Sequence, residues 1–244
     1  MRLLYPLIFF FCLASPGFAQ QLKLGVAASL AQPFQDIKAA YQAQSNKTIA
    51  ITTASSGILS AQIQNGSPLD LFFSANMYYP RQLAEKGFGM KPPSLFVYGN
   101  LVGWSASSGK NTPFINQLAD AELIAIANPE LAPYGKAAQN WLVEQGLWED
   151  VASRLVYGEN IGQVNRYISM GAVDVAFTAV SAMHATPLAS KGSWYHLEAS
   201  DRGVLANGML VLTNNQTIAH FLEFLSSKAA RDIFRKYGYT LPES

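Results

Sequence analysis

Two strand-to-helix junctions near the start of the chain carry hydroxyl side chains where an anion can be held by neutral donors. The first is Ala27-Ala28-Ser29-Leu30, closing the apolar run Leu22-Lys23-Leu24-Gly25-Val26; the second is Ala54-Ser55-Ser56-Gly57, closing Thr48-Ile49-Ala50-Ile51-Thr52-Thr53. A helix start leaves backbone N–H groups unpaired and carries partial positive charge, so it is ready to receive an anion. A serine there either caps the helix or donates its hydroxyl to a ligand. Both readings stand for Ser29 and Ser56 at this point.

Two later junctions offer a matching pair. Asn128-Pro129-Glu130-Leu131-Ala132-Pro133-Tyr134-Gly135-Lys136 follows a strand ending at Ala127 and runs into a helix marked by Ala137, Trp141 and Leu142. Pro133 fixes φ near the helix start, and Gly135 lets another backbone come close. Tyr134 can present its N–H, its hydroxyl or both, or pack on Pro133 as a rim aromatic. In Gly158-Glu159-Asn160-Ile161-Gly162, Ile161 can offer only its backbone N–H.

Other chemistries find little support. His184, His196 and His220 fall in separate segments without metal-site spacing. No Gly-x-Ser-x-Gly elbow, phosphate-binding Gly-Lys loop or paired catalytic carboxylate stands out, so an enzyme is not expected. Glu159, the one carboxylate beside a candidate ligand loop, is expected to be solvated or paired.

The elements that must position these residues alternate between strand and helix, which predicts α/β layering with mostly parallel strands. Helices are predicted after Ser29 (Phe34, Ile37 and Tyr41 on one face) and after Ser56 (Leu59, Ile63, ended by Gly66-Ser67-Pro68). Leu69–Phe73 reads as a buried strand, and further strands are predicted at 123–127, 154–157 and 173–177. Ile218, Phe221, Leu222 and Leu225 form a helical stripe, and a last helix carrying Ile233, Phe234 and Tyr237 stops at Gly238. Leu95–Ser105 and Val204–Thr213 are candidates for two crossings between lobes, which would put a ligand in the cleft at strand C-termini. The corresponding division is a leader over 1–19, lobe 1 over 20–98 plus 206–244, and lobe 2 over 99–205.

Met1–Ala14 has one basic residue and an apolar core too short to span a bilayer, followed by Ser15-Pro16-Gly17-Phe18-Ala19, which suits cleavage after Ala19. Cys12, the one cysteine, would leave with that leader, so no disulfide can hold the exported chain together. The whole chain has 17 basic and 16 acidic residues; without Arg2 the balance is zero. No basic stripe exists for nucleic acid or anionic lipid.

Taken together, Ala28-Ser29, Ala54-Ser55-Ser56-Gly57, Gln62-Ile63…Gly66-Ser67-Pro68-Leu69-Asp70-Leu71-Phe72-Phe73-Ser74-Ala75-Asn76, Asn128-Pro129-Glu130…Pro133-Tyr134-Gly135 and Phe234-Arg235-Lys236-Tyr237-Gly238-Tyr239 resemble, in order and spacing, the periplasmic molybdate-binding proteins of ABC importers. The likeness runs over essentially the whole chain after the leader. It implies a two-lobed type II periplasmic binding protein, a monomer that closes around molybdate or tungstate and delivers it to a membrane-embedded ABC permease. It implies no cofactor, no free metal cation and no covalent step. The resemblance implies hydroxyl donors at Ser29 and Ser56, an amide donor at Ala28, and amide donors at Tyr134 and Ile161. Many members have a tyrosine in a later strand where this chain has Phe177, so Tyr134 is expected to supply the missing hydroxyl from another direction. A receptor for another oxyanion, such as sulfate or phosphate, is the alternative.

Overall fold

The computed structural model describes residues 21–107, 112–185, 187–197, 205–214 and 216–243. The leader, its cut after Ala19 and Cys12 lie outside the described residues, as does Val204.

In chain order the first half contains β1 (Leu22–Ala27), α1 (Ala31–Gln44), β2 (Ile49–Ala54), α2 (Ser56–Gln64), β3 (Leu71–Ser74), α3 (Tyr78–Glu85), β4 (Ser94–Tyr98) and β5 (Leu101–Ser105). It continues with α4 (Phe114–Asp120), β6 (Ile124–Ala127), α5 (Pro133–Glu144), α6 (Trp148–Val151), β7 (Leu155–Gly158) and α7 (Ile161–Met170). The remainder is β8 (Val175–Ala179), α8 (Val180–Ala185), β9 (Ser193–His196), β10 (Ala206–Val211), α9 (Gln216–Ser226) and α10 (Lys228–Lys236). Among the described residues no helix is long and apolar enough to cross a membrane.

The strands form two five-stranded sheets, ordered β2-β1-β3-β10-β4 and β7-β6-β8-β5-β9. Each begins with a parallel trio: β1 pairs with β2 and β3, and β6 with β7 and β8. Each then admits one strand that has crossed from the other lobe, β10 or β5, and both are antiparallel to their neighbours. The sheets are therefore parallel where helices connect successive strands and antiparallel where a crossing strand enters. The chain leaves the first sheet through Gly99-Asn100 and returns at Leu205, and the Gly99 N–H donates to the Leu205 carbonyl at 2.9 Å. Thr240 pairs with Tyr98, so the tail covers the outer edge of β4.

Helix faces follow their apolar periodicity. Phe34, Ile37 and Tyr41 are all buried on α1, where Phe34 meets Phe73 at 4.5 Å and Phe234 at 6.0 Å between ring centroids. On α9 the deepest face is Thr217, Ile218, Phe221 and Phe224, with Leu222 and Leu225 only partly buried, so the stripe is rotated from the expected one. In the second lobe Phe177 is fully buried, with Phe114 and Trp141 at 5.4 and 5.6 Å. Gly66 and Gly238 adopt φ of +83° and +75° after α2 and α10, a region that favours glycine.

Close approach of α5 to β6 fixes the third junction. A Cβ on Gly135 would lie 2.0 Å from the Ala127 carbonyl oxygen and 2.6 Å from its carbon, both backbone atoms unable to move aside cheaply. Gly135→Ala is expected to cost about 2 kcal/mol by overpacking, lowering the melting temperature by roughly 4–8 °C. Calorimetry showing the wild-type melting temperature would mean that this contact does not constrain α5.

Candidate functional site

The four junctions lie at the C-terminal ends of β1, β2, β6 and β7, adjacent parallel pairs in their respective sheets. Their loops face one another. Ala28, Ser29, Ser55 and Ser56 line a small cleft from the first lobe, and Ala132, Tyr134, Asn160 and Ile161 line it from the second. All five residues singled out in the sequence thus border one space. That space is small, a cavity of about 10 Å³, which leaves no room for an organic solute. No charged side chain is among its described lining residues.

Local hydrogen bonding separates caps from free donors. Ser55, not Ser56, caps α2: its backbone is extended and its Oγ accepts from the Ile58 N–H at 3.4 Å. Ser56 is the first helical residue, and its fully buried Oγ accepts from the Ala75 N–H at 3.0 Å. That leaves its O–H to donate. Ser29 sits in a 3₁₀ turn, Ala28–Leu30, that has no side-chain cap. The Ser29 Oγ is buried without a hydrogen-bond partner among the described residues.

The second lobe contributes backbone. Asn160 caps α7 by accepting from the Gln163 N–H at 3.2 Å, so the Ile161 N–H opens the helix with no intrahelical acceptor. A Cβ on Gly162 would lie 3.9 Å from the Ala28 Cβ, which sets this helix start directly across from the first loop. In α5, Pro133 holds the first position and has no N–H, so Tyr134 supplies the first donor of that helix.

Behind the cleft lies a cluster of buried hydroxyls. The Ser29 carbonyl accepts from the Tyr239 hydroxyl at 2.8 Å and from the Ser181 Oγ at 2.9 Å. Burial holds the Tyr134 hydroxyl well above the ordinary tyrosine range, reinforced by neighbouring Tyr239 and opposed by the Asn100 backbone and Ser29. Burial likewise pushes Tyr239 up to about 12, against the lowering effect of Ser181, Ser29 and Tyr134. The Ser29 Oγ is thus near both phenols yet meets hydrogen-bond geometry with neither, and we read it as unpaired. The Tyr134 hydroxyl also reaches the crossing: a Cβ on Gly99 would fall 2.3 Å from it. Sequence reasoning did not single out Tyr239 or Ser181, because both act through a backbone carbonyl distant in sequence.

Residues 22–240 match the family described as bacterial extracellular solute-binding protein. The chain belongs to this family. Among its relatives, the molybdate-binding protein ModA of Rhodobacter capsulatus is 32% identical over 232 residues, covering 93% of this chain and 91% of that one. The ModA of Azotobacter vinelandii is 28% identical over 236 residues, 94% of this chain and 93% of its own. The solved periplasmic molybdate-binding protein of Azotobacter vinelandii superposes with a TM-score of 0.82 at 28% identity, covering 91% of this chain and all of that one. The sulfate-binding protein SubI of Mycobacterium tuberculosis shares the fold, with a TM-score of 0.73 at 15% identity over 90% of this chain and 86% of its own.

Two details of this solute-binding protein bear on its donors. Phe177 is outside the cleft lining and belongs to the aromatic core of the second lobe, so a hydroxyl introduced there would not stand in for that of Tyr134. Glu159 is exposed and absent from the lining, so no carboxylate is among the described lining residues.

The three serines are expected to behave differently without ligand. Ser55→Ala should cost about 1 kcal/mol of stability as a lost cap. Ser56→Ala strands the buried Ala75 N–H and should cost about 1–3 kcal/mol. Ser29→Ala removes an unpaired hydroxyl and should leave stability nearly unchanged; denaturant unfolding of the three variants checks the order. The two phenols also set an alkaline limit. Their folded-state proton affinity exceeds that of the unfolded chain, so their contribution is complete below pH about 10 and is lost above it, for Tyr239 as pH rises through about 12. Melting temperature should fall across that window, and less steeply in Tyr239→Phe; equal slopes would rule out this origin.

Proposed function

We propose that this protein captures molybdate or tungstate in the interlobe cleft and delivers it to a membrane-embedded ABC importer, acting outside the cytoplasm as a monomeric receptor without catalysis. The reading takes 1–19 as a leader cut after Ala19, 20–98 with 206–244 as one lobe, and 99–205 as the other. One observation carries it: four helix or turn starts from two sheets meet at a small uncharged cleft where the Ser29 hydroxyl is buried and unpaired. The likeness to proteins named for molybdate binding supports the choice of anion.

Neutral donors suit this ligand class. Molybdate, tungstate and sulfate are fully deprotonated near neutral pH and only accept hydrogen bonds, whereas protonated phosphate needs an acceptor. Ser29 and Ser56 supply hydroxyls, and Ala28, Tyr134 and Ile161 supply amides, while the buried Tyr134 phenol, set against Tyr239 and the Gly99 crossing behind the cleft, stays neutral. The molybdenum enters as oxyanion, not as a free cation. Donors from both lobes converge on one ion only when the cleft shuts, so binding and closure are coupled.

Titration calorimetry of ligand-stripped protein against molybdate, tungstate, sulfate and phosphate tests the reading. Molybdate and tungstate should bind far more tightly than the other two, and Ser29→Ala should weaken molybdate by about 1.5–3 kcal/mol, as for a bond to a charged acceptor. Equal or tighter sulfate binding would overturn the choice of anion while keeping an oxyanion receptor.

A further inference from the structure

On the lip of the cleft, beside the residues that line it, the lobes touch directly. The Gly57 N–H donates to the Leu131 carbonyl at 2.9 Å, and the Tyr79 hydroxyl donates to the Glu130 carbonyl at 3.0 Å. Two successive carbonyls of the second lobe thus each meet a donor from the first. Both partners are held in place before they meet. The 128–132 loop is braced internally by Asn128, whose Oδ1 accepts from Glu130 N–H at 2.9 Å and whose carbonyl accepts from Leu131 and Ala132 N–H at 3.2 and 2.9 Å. Asn128 N–H is itself tied to Gly158 at 2.7 Å. On the other side, the Tyr79 N–H reaches the Asn76 Oδ1 at 3.5 Å, and Asn76 is fixed by Ser74.

Gly57 explains its own identity here. A Cβ on it would lie 2.9 Å from both the Leu131 carbonyl oxygen and the Tyr79 hydroxyl, and 3.1 Å from the Leu131 Cα. Those atoms belong to the second lobe or to the side chain that bridges to it, so the space is closed by lobe contact and not by the fold of α2. Tyr79 is half-buried, and that burial raises its hydroxyl above the ordinary tyrosine range, keeping it a donor.

We infer that Gly57 and Tyr79, with the carbonyls of Glu130 and Leu131, form a clasp that holds the lobes shut and sets how fast the bound anion leaves. The inference rests on the receptor reading above, but Tyr79 is not among the lining residues of the anion cleft. A contact made only after closure slows dissociation and leaves the encounter untouched. Gly57→Ala adds a methyl that collides only in the closed arrangement, while alanine is the better residue for an open α2.

Stopped-flow release of molybdate from wild type, Gly57→Ala, Tyr79→Phe and the double variant tests this, with wild-type calorimetry as the control. Tyr79→Phe should speed release by roughly fivefold, the factor carried by one neutral hydrogen bond, and Gly57→Ala, whose methyl collides with the Leu131 carbonyl, by at least as much. Association should stay within about twofold, as expected for a contact formed after encounter. The double variant should fall short of the product of the single effects, because its two sites share one contact. Ligand-free Gly57→Ala should melt no lower than wild type. Wild-type release rates in both single variants would overturn the clasp, as would slower association with unchanged release. If Gly57→Ala fails to fold, Tyr79→Phe decides alone. A wild type that binds none of the four oxyanions removes the receptor reading instead, and the clasp falls with it.

Discussion

The carbonyl of Ser29 accepts two hydroxyls, one from the tail of its own lobe through Tyr239 and one from the other lobe through Ser181. Holding this one peptide from behind fixes the turn whose front faces the cleft. Much of the architecture serves that arrangement. The tail must return across β4 to place Tyr239, which it does through the Tyr98–Thr240 bridge, and α8 must start beside the crossing, where the Val180 N–H donates to the Asn100 carbonyl at 3.0 Å. Asn100 in turn donates through its amide to the Gly238 carbonyl at 2.8 Å. The first loop, the tail and the crossing therefore form one hydrogen-bonded unit, and the cleft is built against it.

A doubly charged ion taken out of water needs compensation on the scale of its lost hydration, and an uncharged protein site supplies that through oriented dipoles. Each donor must already point inward, since a dipole that has to turn gives back part of what it contributes. Caps at Ser55 and Asn160 hold two of the helix starts in the required orientation, and the proline at the head of α5 does the same by covalent restraint. With no charged side chain among its described lining residues, the cleft needs no counter-charge to balance one when it is empty. Side-chain acidities stay far from neutrality there, because the groups that line the cleft are amides and hydroxyls and the phenols packed behind them are raised by burial.

Much of this was legible in the sequence because it is written locally. Apolar runs ending at serine or asparagine announce a strand followed by a helix start, and Gly135 announced the close approach of α5 to β6. The order of the motifs added what spacing alone does not: that the four starts belong to one site. What escaped was non-local or weakly patterned. Helix α3 carries Pro80 in its first turn, α4 and α6 are too short for a periodic signal, and β9 is four residues long. The division of labour between Ser55 and Ser56 depends on the backbone conformation at a single residue, and the placement of Phe177 depends on which face of β8 meets Trp141. Neither is encoded in residue type. The antiparallel entry of β5 and β10 follows from the crossings themselves, since a strand arriving from the opposite lobe need not run with its neighbours.

The two sheets have the same strand order, with β1 and β2 occupying in one the places that β6 and β7 occupy in the other. The molecule therefore presents one supersecondary unit twice, facing itself across the cleft, with two loops reaching in from each side. A tetrahedron is the simplest solid whose vertices divide into two equivalent pairs exchanged by a two-fold rotation. A tetrahedral ion can turn one edge toward each lobe, whereas a flat trigonal ion such as nitrate or carbonate that turns an edge to one lobe leaves a single vertex for the other. Shape selection of this kind comes from duplicated topology, and it operates before bond lengths or charge density are compared.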